Sequence, residues 1–256
     1  MFIQHNEAQL FTVSFGAGSR TLLAHGGWVG SWELWAQPFT HLSQSWRTVA
    51  YDHRGTGATV APAETITLAS LVDDLFAVMD ALEMEQCVLA GESAGAAVVL
   101  QAALEHPERF SGLVLVDGLY HWPQPVGPDL FLQGLKNLYR ATLQQFVNTC
   151  TPEPDCETIR RWGMQIVTRA EQAAAIQLYE CVHGLDLRPR LHTITLPTLI
   201  IHGEMDALVP VSAAQWLAGQ LPNSQLHILP GAGHVPTMTR PHQIATLINQ
   251  FFAPSR

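Results

Sequence analysis

The stretch that most narrows what this chain can fold into is Gly91-Glu92-Ser93-Ala94-Gly95. An apolar run, Cys87-Val88-Leu89-Ala90, precedes it, and a small-residue apolar stretch, Ala96-Ala97-Val98-Val99-Leu100, follows. A buried strand, a sharp turn and a helix accommodate all three parts. Glycines two positions to either side of a serine match the nucleophile elbow G-x-S-x-G. Such a turn strains the serine backbone and crowds the neighbouring chain, so bulkier residues would clash at the glycine positions. The serine hydroxyl then stands exposed at a sheet edge. Glycine and serine also meet in ordinary turns, so the rest of the chain has to supply a base, an acid and hydrogen-bond donors.

The surrounding pattern predicts an α/β fold. Strand-like runs at Thr21-Leu22-Leu23-Ala24, Thr48-Val49-Ala50-Tyr51, Leu113-Val114-Leu115-Val116, Thr198-Leu199-Ile200-Ile201 and Gln225-Leu226-His227-Ile228-Leu229 alternate with helical segments. That rhythm indicates βαβ units and a mostly parallel twisted sheet with helices on both faces. Residues 2–15 read as a hairpin, with Gly16-Ala17-Gly18-Ser19 as a turn. Helices are expected over 31–42, with Pro38 as an irregularity, over 68–82 behind a Thr67 cap, near 212–219 and near 242–252. The rhythm breaks at Leu119. Pro123, Pro125 and Pro128 make a stiff linker, followed by helical patterns over 129–148, 155–167 and 170–182, the last with capping-box spacing between Thr168 and Glu171. The division is therefore a core of 1–118 and 186–256 and an inserted helical cap, or lid, of 119–185. At 256 residues a single hydrophobic core is still feasible.

Thirteen basic against 22 acidic residues give a net charge of −9. That charge repels phosphate backbones and anionic bilayers, so neither nucleic acid nor membrane is an expected partner. The opening residues lack a basic n-region and a continuous apolar stretch, and no window approaches a membrane span, so a cytoplasmic location is expected. Four cysteines without C-x-x-C spacing are read as reduced thiols, with a Cys150–Cys156 bridge as the alternative. Among twelve histidines no two lie within four residues of each other, so no metal site is expected. Gly55-Thr56-Gly57 lacks the third glycine and the lysine of a phosphate loop, and no cofactor is expected.

A serine hydroxyl needs a base, and a histidine base works better when a carboxylate fixes its tautomer and stabilises the imidazolium. His234, in the glycine-containing loop after the last predicted strand, is the candidate base. Asp206, in the loop after Ile200-Ile201-His202-Gly203, is the candidate acid. Asp117 also follows a strand and is the second choice, whereas Glu204 is expected in solvent. The order Ser, Asp, His is the one that accompanies an elbow of this kind. The oxyanion of a tetrahedral intermediate needs N–H donors. Ala94 supplies one candidate; the loop His25-Gly26-Gly27-Trp28 supplies the other, with Gly27 first and Trp28 second.

With these residues in place the chain resembles the α/β-hydrolase superfamily over nearly its whole length, in the short-helical-cap branch. The resemblance rests on His25-Gly26-Gly27, Asp52-His53-Arg54-Gly55-Thr56-Gly57, the elbow, the 197–206 stretch and Gly231-Ala232-Gly233-His234. The region 52–117 looks most like enol-lactonase-type members. The likeness implies an α/β-hydrolase fold and a serine esterase or lactonase that cleaves a small or medium carboxylic ester or lactone through an acyl-enzyme. The alternatives are C–C bond hydrolysis of a diketone, or a slow-turnover ligand receptor or regulatory protein on the same scaffold. The loop departs from H-G-G-G, which sets the chain apart from the hormone-sensitive-lipase-like branch. A serine stands where dehalogenase-type relatives would have aspartate, which argues against an alkyl-enzyme ester.

Trp28, Leu119, Trp122, Leu208 and Val235 flank the predicted active-site loops or the cap entrance and are the expected substrate-binding residues. Phe131, Leu135, Tyr139, Phe146, Trp162 and Tyr179 read mainly as helix packing. Lys136, Arg140, Arg160 and Arg161 are expected in solvent, Glu92 solvated or braced, and Asp52 with Arg54 as a structural charge pair. A monomer or homodimer acting on a small molecule completes the expectation.

Overall fold

A computed structural model describes residues 1–253, so the last three positions of the segment 186–256 lie outside the described residues. One sheet runs through the molecule. Its strands are β1 (Phe2–His5), β2 (Ala8–Phe15), β3 (Arg20–His25), β4 (Trp46–Tyr51), β5 (Cys87–Glu92), β6 (Phe110–Val116), β7 (Thr198–Gly203) and β8 (Ser224–Leu229). Their spatial order is β1-β2-β4-β3-β5-β6-β7-β8. The β1–β2 and β2–β4 pairs are antiparallel. Every later pair is parallel.

The hairpin turns at Asn6-Glu7, with Asn6 at φ 48°, and not at residues 16–19. Gly16, at φ 74°, has no room for a Cβ against the carbonyl oxygens of Ser43 and Trp46. Its segment therefore runs tightly over the edge of the sheet from β2 to β3, while β2 pairs with β4.

The central strands are near-continuous apolar runs because both faces are covered. Leu22, Ala24, Val88, Ala90, Val114, Val116, Leu199 and Ile201 pack with α1 (Ala36–Leu42) and α10 (Pro241–Phe251). Their alternates Leu23, Leu89, Leu113, Leu115 and Ile200 pack with α2 (Leu68–Ala81), α3 (Gly95–Glu105) and α8 (Val211–Gln220). Thr67 caps α2 and forms a reciprocal box with Ser70. Pro38 lies in the first turn of α1, where a missing N–H has no helical partner to lose, behind a 3-10 turn over Trp32–Trp35.

Between β6 and β7 come α4 (Leu130–Asn137), α5 (Tyr139–Cys150), α6 (Glu157–Val167) and α7 (Gln172–Glu180). The ends of this insertion are pinned by a single bridge between His121 and Asp186. The helical pattern over 129–148 is two helices. Gln172 donates to the carbonyls of Leu135 and Lys136 at 2.7 and 3.0 Å, which caps the end of α4 and lets the chain turn at Leu138. The capping box at 168–171 does not form: the Thr168 hydroxyl donates back to Met164 O and Glu171 caps α7 without a side-chain bond. A short α9 (Pro236–Thr239), not anticipated, follows β8. All four cysteines carry free thiols. Among the described residues no helix is long and apolar enough to cross a membrane.

Candidate active site

Ser93 sits between β5 and α3 at φ 54°, a left-handed conformation costly for a residue with a side chain. The strain is held from both sides: its N–H donates to Val116 O at 2.9 Å and its carbonyl accepts from Leu119 N–H at 3.0 Å. A Cβ on Gly91 would come within 2.6 Å of Val99, and one on Gly95 within 2.9 Å of His25 Nδ1. The glycines of the elbow are thus explained by crowding.

His234, after β8, places Nε2 2.8 Å from Ser93 Oγ and Nδ1 2.7 Å from Asp206 Oδ2. The carboxylate partner selects the tautomer with hydrogen on Nδ1, which leaves the Nε2 lone pair facing the serine O–H. Asp206 Oδ1 accepts from the N–H groups of Leu208 and Val209 at 2.8 and 2.9 Å. Burial pushes Asp206 up, but its hydrogen bond to His234, the charge of that ring and the two N–H donors outweigh it, and its pKa lies below the ordinary carboxylate value. Asp117 is fully buried at the end of β6 at φ 46° and accepts from Gly203 N–H at 2.8 Å. Burial and the neighbouring charge of Asp206 hold its pKa well above the usual range.

The histidine loop is also tied to the insertion. His234 N–H donates to Cys150 O at 2.9 Å, and Gly233 N–H donates to Glu153 Oε1 at 2.8 Å. Glu153 is 2 % exposed, so this bond is shielded from water.

Gly27 backs onto Ser93: a Cβ there would lie 3.3 Å from Ser93 Cβ. Among the described residues neither the Gly27 nor the Ala94 N–H has a protein acceptor. The Gly27 carbonyl accepts from Gly30 N–H at 3.1 Å and lies 3.0 Å from His53 Nε2. His53 was not singled out by sequence reasoning; only its place in Asp52-His53-Arg54-Gly55 hinted at it. The Trp28 side chain donates from Nε1 to Ala175 O at 2.8 Å and packs edge-on against Phe131, Phe146 and Tyr179.

One expected pairing changes. Arg54 does not pair with Asp52. It makes a bidentate bond to Asp74 on α2 at 2.6 and 2.9 Å, while Asp52 accepts from the N–H groups of Trp32 and Ala58. Helix α2 brings a better-shaped partner than the adjacent turn can. Of the two readings of Glu92, solvated or braced, the second holds: it is 1 % exposed at the end of the central strand. Thr237 donates to its Oε1 at 2.7 Å and Oε2 has no partner. Burial pushes the Glu92 carboxyl up to about 8, against the opposing Thr237 bond. Glu204 is exposed, as expected.

Two cavities meet at Ser93 and His234. The larger, about 270 Å³, is lined by Trp28, Leu119, Trp122 and Leu208 together with Phe131, Phe146, Leu178, Tyr179, Val182 and Val209. The smaller, about 50 Å³, lies toward Gly27, Val29 and Val235, with α5, α6 and α9 behind it. Phe131, Phe146 and Tyr179, read from sequence as packing, are therefore cavity walls as well. Neither cavity is lined by Lys136, Arg140, Arg160 or Arg161. Lys136 pairs with Glu180, Arg161 pairs with Glu157, and Arg160 donates to the carbonyls of Thr151 and Glu153.

Among the described residues one group has metal-compatible spacing: Asp117, Asp206 and His234 offer atoms within 4.8 Å of one another. Nδ1 of His234 and Oδ2 of Asp206 are already bonded to each other. The donor set therefore fits a proton-relay network better than a vacant coordination site.

Over residues 21–238 the sequence matches the family described as serine aminopeptidase, S33. It is 34% identical over 238 residues to RutD of Caulobacter vibrioides, named as a carbamate hydrolase, covering 88% of this chain and 87% of that protein. It is 28% identical over 252 residues to the pimeloyl-acyl-carrier-protein methyl ester esterase of Nitrosomonas europaea, covering 93% and 98%. The solved enol-lactonase of Burkholderia xenovorans LB400 is similar in fold, with a TM-score of 0.90, 19% identity and coverage of 98% and 99%. By its sequence match, its sheet and its relatives, the chain belongs to the α/β-hydrolase superfamily and is a hydrolase of the serine type.

Proposed function

We propose that the protein hydrolyses small or medium carboxylic esters or lactones through an acyl-enzyme, with Ser93, His234 and Asp206 as a catalytic triad and residues 119–185 as a cap over the site. The observation that carries this reading is the unbroken run from Ser93 Oγ through His234 to Asp206, opening into an apolar cavity of about 270 Å³. Ser93 Oγ attacks the carbonyl carbon as its proton passes to Nε2 of His234. Asp206 stabilises the imidazolium so formed. The N–H groups of Ala94 and Gly27 receive the oxyanion. His234 returns the proton to the leaving oxygen, the C–O bond breaks and the alcohol departs. Water then attacks the acyl-enzyme with His234 again as base, which releases the acid and restores Ser93.

A panel of esters and lactones, run beside Ser93→Ala, tests the reading. The variant should lose about 10⁶-fold in turnover if the three residues act as a unit; near-normal hydrolysis would overturn the assignment. The 34% identity to a protein named as a carbamate hydrolase supports a second reading, carbamate cleavage, in which the same steps act on a carbonyl bearing nitrogen. Carbamates therefore belong in the same panel.

A further inference from the structure

The cavities on the two sides of Ser93 differ about fivefold in volume. A cavity of roughly 150 Å³ holds a benzene molecule, so about 270 Å³ accommodates an aromatic ring with substituents. At roughly 10–15 Å³ per water-sized group, about 50 Å³ takes about three to five heavy atoms. The walls of the larger space are apolar and largely aromatic, with Phe131, Phe146 and Tyr179 each set edge to face with Trp28.

The small cavity cannot swell without disturbing the base. Cys150, in its wall, accepts the His234 N–H through its carbonyl, and His234 lines the same space. Val147, Ile166, Val167 and Met238 are buried behind it. At that wall the Thr151 hydroxyl donates to Val147 O at 2.8 Å, and Glu92 accepts from Thr237 through Oε1 while its Oε2 has no partner. An anionic arm would find no lysine or arginine in either space.

We infer that the substrates carry no anionic arm and are asymmetric: one arm flanking the scissile carbonyl is bulky and apolar, preferably aromatic, and the other has no more than about five heavy atoms. This rests on the serine-hydrolase reading and goes beyond it by setting a size limit for each side.

Benzyl acetate, methyl phenylacetate, benzyl phenylacetate and ethyl acetate separate the possibilities. The better of the two mixed esters should exceed both benzyl phenylacetate and ethyl acetate in kcat/KM by about tenfold or more, the order expected from losing a well-filled apolar subsite. Whichever mixed ester wins assigns the small cavity to the acyl or the alcohol side. If benzyl phenylacetate is cleaved as fast as both mixed esters, the size limit is wrong while the hydrolase reading stands. If no ester is cleaved, or Ser93→Ala cleaves them equally well, the hydrolase reading fails and the inference falls with it. Val167→Ala, which widens the small cavity, should raise benzyl phenylacetate several-fold relative to the mixed esters. The wild-type panel decides the matter if that variant does not fold.

Discussion

The parallel core and the inserted helices reach Ser93 in different ways. On the core side, contacts are short, polar and buried: Ser93 to His234, His234 to Asp206, and Asp206 to two backbone N–H groups. On the insertion side, Phe131, Phe146, Leu178, Tyr179 and Val182 offer apolar surface. Polar ties between the two parts lie mostly away from the serine: Trp28 to Ala175 O, Gln177 to Ile66 O, and Arg169 to Glu33 and Ser31. Directional bonds fix a reaction geometry to fractions of an ångström, while apolar contact discriminates by size. Under the proposed function, the core would set the rate of any substrate that arrives, and the insertion would decide which one does.

If that division holds, Asp206→Asn should lower kcat/KM by about 10⁴-fold, and by the same factor for every ester tried. Asp117→Asn should cost less than about tenfold, because His234 keeps its carboxylate. A greater loss in the second variant would move the acid to Asp117.

Glu92 tests the core through stability. Its carboxyl keeps its proton up to about pH 8 in the folded protein, whereas an unfolded chain releases it near the ordinary value of 4.5. Between those values the folded state binds more protons, so this group lowers stability as pH rises, by up to about 5 kcal/mol. Glu92→Gln should match the wild type in melting temperature at pH 5 and exceed it by several degrees at pH 9. Parallel melting curves at both pH values would refute the buried-acid picture.

Trp122→Ala should act on selectivity alone. Trp122 is half-buried and lines the larger cavity. Its loss should raise KM for aromatic esters by about tenfold and leave ethyl acetate almost unchanged. An equal loss across the panel would mean that the insertion also governs chemistry. The smallest effect is expected from Arg169→Ala, which breaks the partly exposed pair with Glu33. Less than about 1 kcal/mol should be lost, and still less at high salt, as read by melting temperature.

The core was far more legible than the insertion. Ser93, Asp206 and His234 each follow a strand of the parallel part of the sheet, so strand order alone converges them. Asp117 shares that signature and also lies between Ser93 and His234, so chain order does not separate the two acids; Asp206 is the one bonded to His234. For Glu92 the sequence leaves a solvated and a braced side chain both open, and the brace is Thr237 on α9, a helix too short to show in the pattern. Arg54 was placed as a brace, but its partner Asp74 lies twenty positions away on a helix. In the insertion, helix existence was readable from periodicity. The break at Leu138 depends on Gln172, and which aromatic faces the serine depends on packing that no local pattern encodes.

The bonds from His234 to Cys150 and from Gly233 to Glu153 carry a consequence for how members of such a fold diverge. An insertion that only covered the site could be exchanged wholesale between relatives like an interchangeable part. Here the segment at 150–153 is a bearing on which the histidine loop rests. A chimera that imports a foreign cap should lose activity toward the donor's own substrates unless it retains Cys150 to Glu153. New specificities on this scaffold are therefore more accessible through substitutions along α4 and α7 than through replacement of the insertion as a unit.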